Sequence, residues 1–241
     1  MIALLQPWGT TVLELLYPSH CLHCQRPVPA RSLLCAACTG EIPWLRPPFC
    51  LTCSRPFPGA AELVAACPNC LDQTFAFGAA VAAVRATGSA RELIHRFKYG
   101  GKHHLRRILG TWLVTAFEDA RIQSEPVDAL VPVPLHPTRR RERGYNQAEE
   151  LASLLSARVK VPTLPCLQRT RYTDTQTQFD RAQRRRNLRN AFQLRKGSDV
   201  ARKRLLLIDD VLTTGSTLDE CARVLVARGA TSVRALTVAR G

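Results

Sequence analysis

The chain has 241 residues, of which 46% are hydrophobic, and this length suits one large domain or a medium domain with a small companion. The composition excludes an intrinsically disordered chain, and no apolar stretch of the sequence reaches membrane-spanning length. The formal net charge of +15 predicts a polyanionic partner, such as nucleic acid, or phosphate-rich small molecules. No signal peptide is evident, so we expect a soluble cytoplasmic protein.

Eight of the ten cysteines lie before residue 71, in four C-x-x-C pairs. The pairs are Cys21/Cys24, Cys35/Cys38, Cys50/Cys53 and Cys67/Cys70. Each pair presents two thiolates to a tetrahedral ion, so the four pairs predict two structural zinc ions. Sequential pairing of neighbouring turns is the simplest arrangement, although the spacing also allows a cross-braced one. Disulfides are not expected without an export signal.

Apolar runs alternate with helical patterns through the rest of the chain. Strands are predicted at residues 75–85, 128–134, 162–168 and 205–208, and helices at 89–99, 105–122, 146–157 and from Thr217 onward. This alternation is typical of an α/β domain with a mainly parallel sheet and flanking helices. The predicted organisation is a double zinc ribbon domain over residues 1–75 and an α/β domain over residues 76–241.

Two stretches concentrate positive charge. Four arginines follow the predicted strand 128–134, and the end of a parallel strand next to a helix start is a common anion site. A solvated helix surface is the alternative explanation for them. From Arg169 to Arg204 the sequence has twelve Lys or Arg and three Asp, a net charge of +9. The residues predicted to bind nucleic acid or other anions are Lys98, Arg139, Arg140, Arg141, Arg143, Arg181, Arg184, Arg185 and Arg186.

The segment R-L-L-L-I-D-D-V-L-T-T-G-S-T-L, from Arg204 to Leu218, has the clearest functional pattern. Its apolar run predicts a strand buried on both faces, which leads through a short loop into a helix. The helix start and the loop hydroxyls suit a phosphate, whereas two adjacent carboxylates suit sugar hydroxyls or Mg²⁺. An ordinary strand-to-helix turn is the alternative. The residues predicted to form a ribose 5-phosphate site are Asp209, Asp210, Thr213, Thr214, Gly215, Ser216 and Thr217.

The run I-D-D-V-L-T-T-G-S-T resembles the phosphoribosyl-pyrophosphate signature of type I phosphoribosyltransferases. Nearly the whole chain resembles the ComF family of competence proteins, through the C-x-x-C ribbon and the motifs L-I-H-R-F-K-Y-G, V-P-V-P-L-H-P and R-T-R-Y-T-D-T-Q. The resemblance implies a phosphoribosyltransferase-like fold in which Asp209 and Asp210 contact ribose and residues 213–217 hold the 5-phosphate. It also implies that Arg143 faces the pyrophosphate and that residues 169–186 close over the site.

Two functions remain open. In the first, which the resemblance implies, the protein handles single-stranded DNA entering the cytoplasm during natural transformation, with other competence or DNA-processing proteins as further partners. Its pocket then binds phosphoribosyl pyrophosphate or a related nucleotide, and four aromatic residues are candidates for stacking on bases. They are Tyr99, Tyr145, Tyr172 and Phe179. In the second, the protein is a Mg²⁺-dependent phosphoribosyltransferase with an unidentified nitrogenous acceptor, and Arg143, Arg169 and Arg171 are the catalytic candidates.

Overall fold

The computed structural model describes residues 19–57, 67–71, 73–172 and 188–241. The chain divides into two compact units, one ending at Ile42 and the other beginning at Pro43. This division falls earlier than the predicted domain boundary after residue 75, because residues around the third C-x-x-C pair are bonded to the sheet. The amide of Ala80, for example, donates to the Thr52 carbonyl at 2.8 Å. In the described ranges, every helix falls short of the length and apolarity that a membrane crossing requires.

The first unit is small, and its described part, residues 19–42, has few buried apolar side chains. Helix α1, Ala36–Gly40, starts after Cys35, whose sulfur accepts a hydrogen bond from the amide of Cys38 at 3.5 Å. In the described part of this unit, the buried apolar residues are Cys21, Cys38 and Ile42. We therefore expect metal binding to supply most of the folding free energy of residues 19–42.

A four-stranded parallel sheet is the centre of the second unit. Its strands are β1 (Ala80–Arg85), β2 (Ala129–Pro132), β5 (Arg204–Leu212) and β6 (Ser232–Arg240), in the order β1-β6-β5-β2. A separate antiparallel pair consists of β3 (Leu167–Arg169) and β4 (Phe192–Leu194). The side chains of β5 from Leu205 to Ile208 are fully buried, as expected for a central strand covered on both faces.

Helices flank this sheet. They are α2 (Gly88–Tyr99), α3 (Arg106–Phe117), α4 (Ala120–Gln123), α5 (Pro137–Arg143), α6 (Gln147–Val159) and α7 (Ser216–Ala227), with a 3-10 turn at His103–Leu105. Helices α3 and α6 pack against each other and the sheet, whereas α7 packs against β5, β6 and the smaller β4. The predicted α/β class, with a mainly parallel sheet, is confirmed.

Several predicted elements differ from the structure. The predicted helix 105–122 is divided, because the Asp119 carboxylate accepts from the Arg121 amide at 2.9 Å and starts α4. The predicted strand 162–168 is strand only from Leu167, since Pro162 and Pro165 lack the N–H groups that a ladder needs. Strand β5 runs to residue 212, so both carboxylates lie inside it, and β6 is an additional strand that the sequence reading did not predict.

Candidate functional site

The eight C-x-x-C cysteines form two tetrads in sequence order. The first tetrad is Cys21, Cys24, Cys35 and Cys38, and the second tetrad is Cys50, Cys53, Cys67 and Cys70. Within each tetrad the sulfur atoms lie within 4.8 Å of one another, with separations such as 3.6 Å for Cys24–Cys35 and 3.5 Å for Cys53–Cys67. A tetrahedral zinc with bonds of about 2.3 Å has sulfur edges of about 3.8 Å, so both tetrads fit zinc. The sequential pairing is confirmed, and the cross-braced alternative is wrong.

The pKa is lowered for two thiols of the first tetrad, Cys21 and Cys35, and for Cys50 of the second. Burial opposes ionisation of Cys50, but N–H donors of Cys53 and Cys67 outweigh it and lower its pKa to about 7. In the first tetrad the pKa of Cys21 falls to about 6, because N–H donors outweigh burial there too. Burial raises the pKa of Cys38, Cys67 and Cys70 instead, so zinc, which binds thiolates, must displace protons from these three thiols.

The carboxyl end of β5 carries both predicted carboxylates. Asp210 is buried and forms an ion pair with Lys98 of α2, whose Nζ lies 2.7 Å from the Asp210 Oδ1. The amide of Asp210 in turn donates to the Asp209 carboxylate at 2.8 Å. Lys98, predicted as part of an anion-binding surface, is therefore placed inside the carboxylate site, where its ammonium neutralises Asp210.

The charged groups of this site shift one another's pKa values. Burial and the adjacent Asp210 carboxylate raise the pKa of Asp209 to about 7, although Lys98 and Arg169 oppose the shift. Burial by itself lowers the pKa of Lys98, but the two carboxylates outweigh it, so the net shift is upward. At neutral pH the site therefore holds a charged Lys98 beside Asp209, whose carboxyl keeps its proton to a higher pH than an ordinary aspartate because its pKa is raised.

The loop from Thr213 to Thr217, which we call the phosphate loop, connects β5 to α7. Gly215 has a φ of +84° and lies so close to the Phe75 ring that an added Cβ would be 3.2 Å from its Cε1 atom. The hydroxyls of Thr214 and Ser216 are 2.9 Å apart, and α7 starts at Ser216. Loop hydroxyls and a helix start thus share one edge with the two carboxylates.

The first turn of α7 has one acidic residue, Asp219, and its carboxylate is already engaged. It accepts from the Ala76 amide at 2.7 Å and from the Arg223 Nε at 3.0 Å. These two donors neutralise the carboxylate and hold it in place. The helix start therefore keeps the positive end of its dipole available to an anion.

Two of the predicted arginines of α5 lie over tyrosine rings. The Arg143 guanidinium is 4.9 Å from the centre of the Tyr99 ring, and that of Arg139 is 5.6 Å from the centre of the Tyr172 ring. Arg140 differs, because it pairs with Glu149 at 2.9 Å. Arg141 lies on the same short helix and is exposed.

Arg169 of β3 is close enough to the carboxylate site for its charge to interact with that of Asp209. Burial lowers the pKa of Arg169, and Arg139 and Arg143 lower it further against the effects of Cys221 and Asp209. The third catalytic candidate, Arg171, donates to the Arg189 carbonyl at 3.0 Å. Four predicted anion-binding residues lie outside the described residues, and so does the stacking candidate Phe179. They are Arg181, Arg184, Arg185 and Arg186.

The sequence reading missed two buried arginines of β6, Arg234 and Arg240. The sequence does contain a sign of these two arginines, because one stands at each end of the mostly apolar run R-A-L-T-V-A-R. Charged side chains that are buried in a sheet must be paired or hydrogen-bonded, so such a run marks positions worth testing.

Two family descriptions match the chain. A double zinc ribbon domain matches residues 12–73, and a phosphoribosyl transferase domain matches residues 142–241. The second match covers β5, the phosphate loop, α7 and β6. With the parallel sheet, it confirms the predicted phosphoribosyltransferase-like fold, and the first match with the two tetrads confirms the zinc ribbon.

Named relatives extend the match over most of the chain. It is 35% identical to the competence protein F of Haemophilus influenzae over 176 residues, which is 71% of this chain and 77% of that protein. It is 34% identical to the DNA utilization protein YhgH of Escherichia coli O157:H7, over 61% of this chain and 66% of that protein. A glutamine phosphoribosylpyrophosphate amidotransferase structure from B. subtilis aligns with 55% of this chain and 25% of its own, at 23% identity and a TM-score of 0.37. The extent and identity of the first match show that this chain belongs to the competence protein F family.

Proposed function

We propose that this protein binds phosphoribosyl pyrophosphate, or a related nucleotide, together with Mg²⁺, and that it handles incoming single-stranded DNA in the cytoplasm during natural transformation. The observation that carries the first part is the shared edge at the end of β5, where Asp209, Asp210 and the phosphate loop meet. Open α/β sheets bind ligands outside the carboxyl ends of their strands, and this edge is such a place.

Each group at this edge suits one part of the ligand. The hydroxyls and the α7 start of the phosphate loop suit the 5-phosphate. The carboxylates of Asp209 and Asp210 suit the ribose hydroxyls or Mg²⁺, both of which take oxygen ligands. Lys98 stabilises Asp210 while no ligand is bound. A ligand that recruits Asp210 would release the Lys98 ammonium toward the pyrophosphate.

The DNA part is supported by aromatic and basic side chains in the same unit. Tyr99 and Tyr172 are 58% and 48% exposed, and each lies beneath an arginine of α5. Exposed rings beside guanidinium groups suit unpaired bases next to a phosphate backbone. Tyr145 is less suited, because its hydroxyl donates to the Phe97 carbonyl and its ring is partly buried. The names of the relatives, which refer to competence and DNA utilization, agree with this role.

Calorimetry with phosphoribosyl pyrophosphate and Mg²⁺ tests the pocket. Wild-type protein should bind, and an Asp209→Asn, Asp210→Asn double variant should lose at least tenfold in affinity. Asp199→Asn is the matched control, because the Asp199 side chain is 75% exposed on a turn and should have no effect. Equal affinity in all three proteins would reject the pocket.

Binding of labelled single-stranded DNA at several salt concentrations tests the second part. The affinity should fall with salt, with a logarithmic slope of roughly −0.7 per neutralised phosphate. Tyr172→Ala should weaken binding by about 1–3 kcal/mol per lost stacked base, whereas Tyr172→Phe keeps the ring and should bind normally. Binding that does not depend on salt would contradict this role.

A transferase activity is the second candidate. Arg169, whose charge interacts with that of Asp209, supports it, since a guanidinium there would stabilise a leaving pyrophosphate. A cavity of about 370 Å³, lined partly by Pro134, Leu135, Gln168 and Arg169, is a candidate acceptor site. Pyrophosphate release across a panel of nitrogenous bases tests this activity. If the protein binds phosphoribosyl pyrophosphate but releases no pyrophosphate with any base, only the binding function is supported.

A further inference from the structure

Arg240 of β6 is a buried arginine that joins two distant parts of the second unit. It is 5% exposed, and its Nε donates to the Cys53 carbonyl at 2.9 Å. Its Nη1 donates to the Leu212 carbonyl at 3.0 Å and also contacts the Gly241 oxygen. Leu212 is the last residue of β5, directly before the phosphate loop. The Arg240 side chain is therefore hydrogen-bonded both to a turn of the second tetrad and to the residue just before the phosphate loop.

The charge of Arg240 calls for a negative partner. Within the described ranges, no Asp or Glu side chain forms an ion pair with it. Its Nη2 lies 4.0 Å from the sulfur of Cys53. Four thiolates around one divalent ion carry a net negative charge, so the metal-loaded second tetrad supplies a counter-charge to this buried guanidinium.

Phe75 provides a second connection between the same two places. Its ring packs against the second tetrad and stacks on Phe77, with ring centres 4.6 Å apart. The same ring faces Gly215, the residue at the centre of the phosphate loop. The loop therefore rests on an aromatic side chain whose position depends on the tetrad.

We propose that Arg240 is a positioning residue through which the second tetrad, when it holds zinc, fixes the phosphate loop. The Cys53 turn anchors the guanidinium, the thiolates neutralise it, and its bond to Leu212 holds the start of the loop. Loss of zinc removes the counter-charge and loosens the loop. The functional meaning of this link rests on the proposed phosphate-binding role of the loop, whereas the link itself is measurable without any phosphate ligand.

An Arg240→Met variant tests the link, with Arg234→Met as the matched control. Arg234 is also a buried arginine of β6, but it bonds the carbonyls of Glu125 and Pro126, at 3.0 and 3.1 Å. Two readouts apply to the full-length zinc-loaded protein: zinc release to a chromogenic chelator, and amide hydrogen exchange of the 209–218 segment. Loss of one charged hydrogen-bond partner should accelerate both by roughly tenfold in Arg240→Met. The control should change neither.

An unchanged exchange rate in the 209–218 segment of Arg240→Met would overturn the proposal, and so would equal acceleration in the control. If Arg240→Met does not fold, Arg240→Lys replaces it. That variant keeps the charge but cannot bond both carbonyls, so it should accelerate loop exchange more than zinc release. If zinc release in Arg240→Lys were accelerated as much as loop exchange or more, the proposed hydrogen bonds of Arg240 would be contradicted.

Ribose 5-phosphate binding is measured separately on the same proteins. Loop exchange that responds to Arg240→Met in a protein that does not bind ribose 5-phosphate would uphold the link and reject the phosphate-binding role of the loop. Normal binding of ribose 5-phosphate with no change in loop exchange would uphold the phosphate-binding role and reject the link through Arg240. The two proposals therefore fail in different ways.

Discussion

The two cysteine tetrads share one motif but differ in their surroundings. In the first tetrad Cys24 is exposed and Cys35 is partly exposed, whereas all four cysteines of the second are buried. The second tetrad packs against Phe57 and Phe75. Arg121 also ties its first turn to the rest of the unit, because it donates to the Leu51 carbonyl at 3.2 Å and to the Ser54 hydroxyl at 3.1 Å.

This difference shows that the same C-x-x-C motif does not imply the same structural role. The first tetrad belongs to a small unit whose described part has few buried apolar side chains. The second is part of the sheet unit, since the Ser54 hydroxyl donates to the Ala80 carbonyl of β1 at 2.8 Å and Arg240 donates to the Cys53 carbonyl. Loss of metal from the first tetrad should have local effects, whereas loss from the second should reach the sheet and the phosphate loop.

Removal of one ligand from each tetrad is the strongest test of this comparison. Cys53→Ser should destabilise the sheet unit severely, because structural zinc contributes on the order of 10 kcal/mol to folding. Cys24→Ser should remove zinc from the first tetrad and leave the unfolding midpoint of the sheet unit unchanged. Urea unfolding followed by circular dichroism, with zinc content determined in parallel, measures both. Equal midpoints in the two variants would refute the distinction.

Lys98→Met should damage the site without affecting either tetrad. It leaves the buried Asp210 carboxylate without its cation, which should cost about 3 kcal/mol in the free energy of unfolding. Lys203→Met is the control, because the Lys203–Asp199 pair is exposed and should contribute less than about 1 kcal/mol. Both variants should retain two zinc ions. Loss of zinc from Lys98→Met would show that a change at the carboxylate site affects zinc binding by the tetrads.

Gly215→Ala tests the contact between the phosphate loop and Phe75. The φ of +84° disfavours any side chain at this position, and the new Cβ would press on the ring at 3.2 Å. We expect a cost of about 1–3 kcal/mol and weaker binding of phosphoribosyl pyrophosphate. Gly101→Ala, also at positive φ but with nothing within 4 Å of its Cβ, separates backbone strain from the ring contact. Equal losses in both variants would show that the Phe75 contact contributes nothing.

The pH dependence of stability should separate the chemistry of the site from that of the tetrads. The pKa of Asp209 is raised from 3.8 to about 7, so in this window the folded state holds a proton that the unfolded state releases. Stability should therefore fall as pH rises toward 7, by about 1 kcal/mol between pH 6 and 7. Asp209→Asn should remove this contribution. Identical pH profiles for the two would contradict the raised pKa.

Much of the local site was predictable, because each part is encoded within a few residues. A C-x-x-C turn brings two sulfurs to one point wherever it occurs, so the tetrads followed from spacing. The run from Arg204 to Leu218 encodes a strand, a loop and a helix start in one continuous segment. Strand β6 was harder, since its arginines interrupt the apolar pattern that identifies a buried strand.

The long-range contacts were beyond the reach of the sequence. Lys98 and Asp210 are separated by more than a hundred residues, and 187 residues separate Cys53 from Arg240. Both pairs meet only because helix α2 ends near the carboxyl end of β5, and because β6 lies between β1 and β5. No local pattern specifies that order of strands.

The sequence by itself therefore determined the two cysteine tetrads, the strand, loop and helix start between Arg204 and Leu218, and the α/β class, because these depend on spacing and periodicity along the chain. The tertiary structure alone decided that Lys98 neutralises Asp210 and that Phe75 contacts both the second tetrad and Gly215. It decided as well that the second tetrad is bonded to the sheet through Ser54 and Arg240. Those relations depend on which strands are neighbours, and packing of the whole core sets that arrangement.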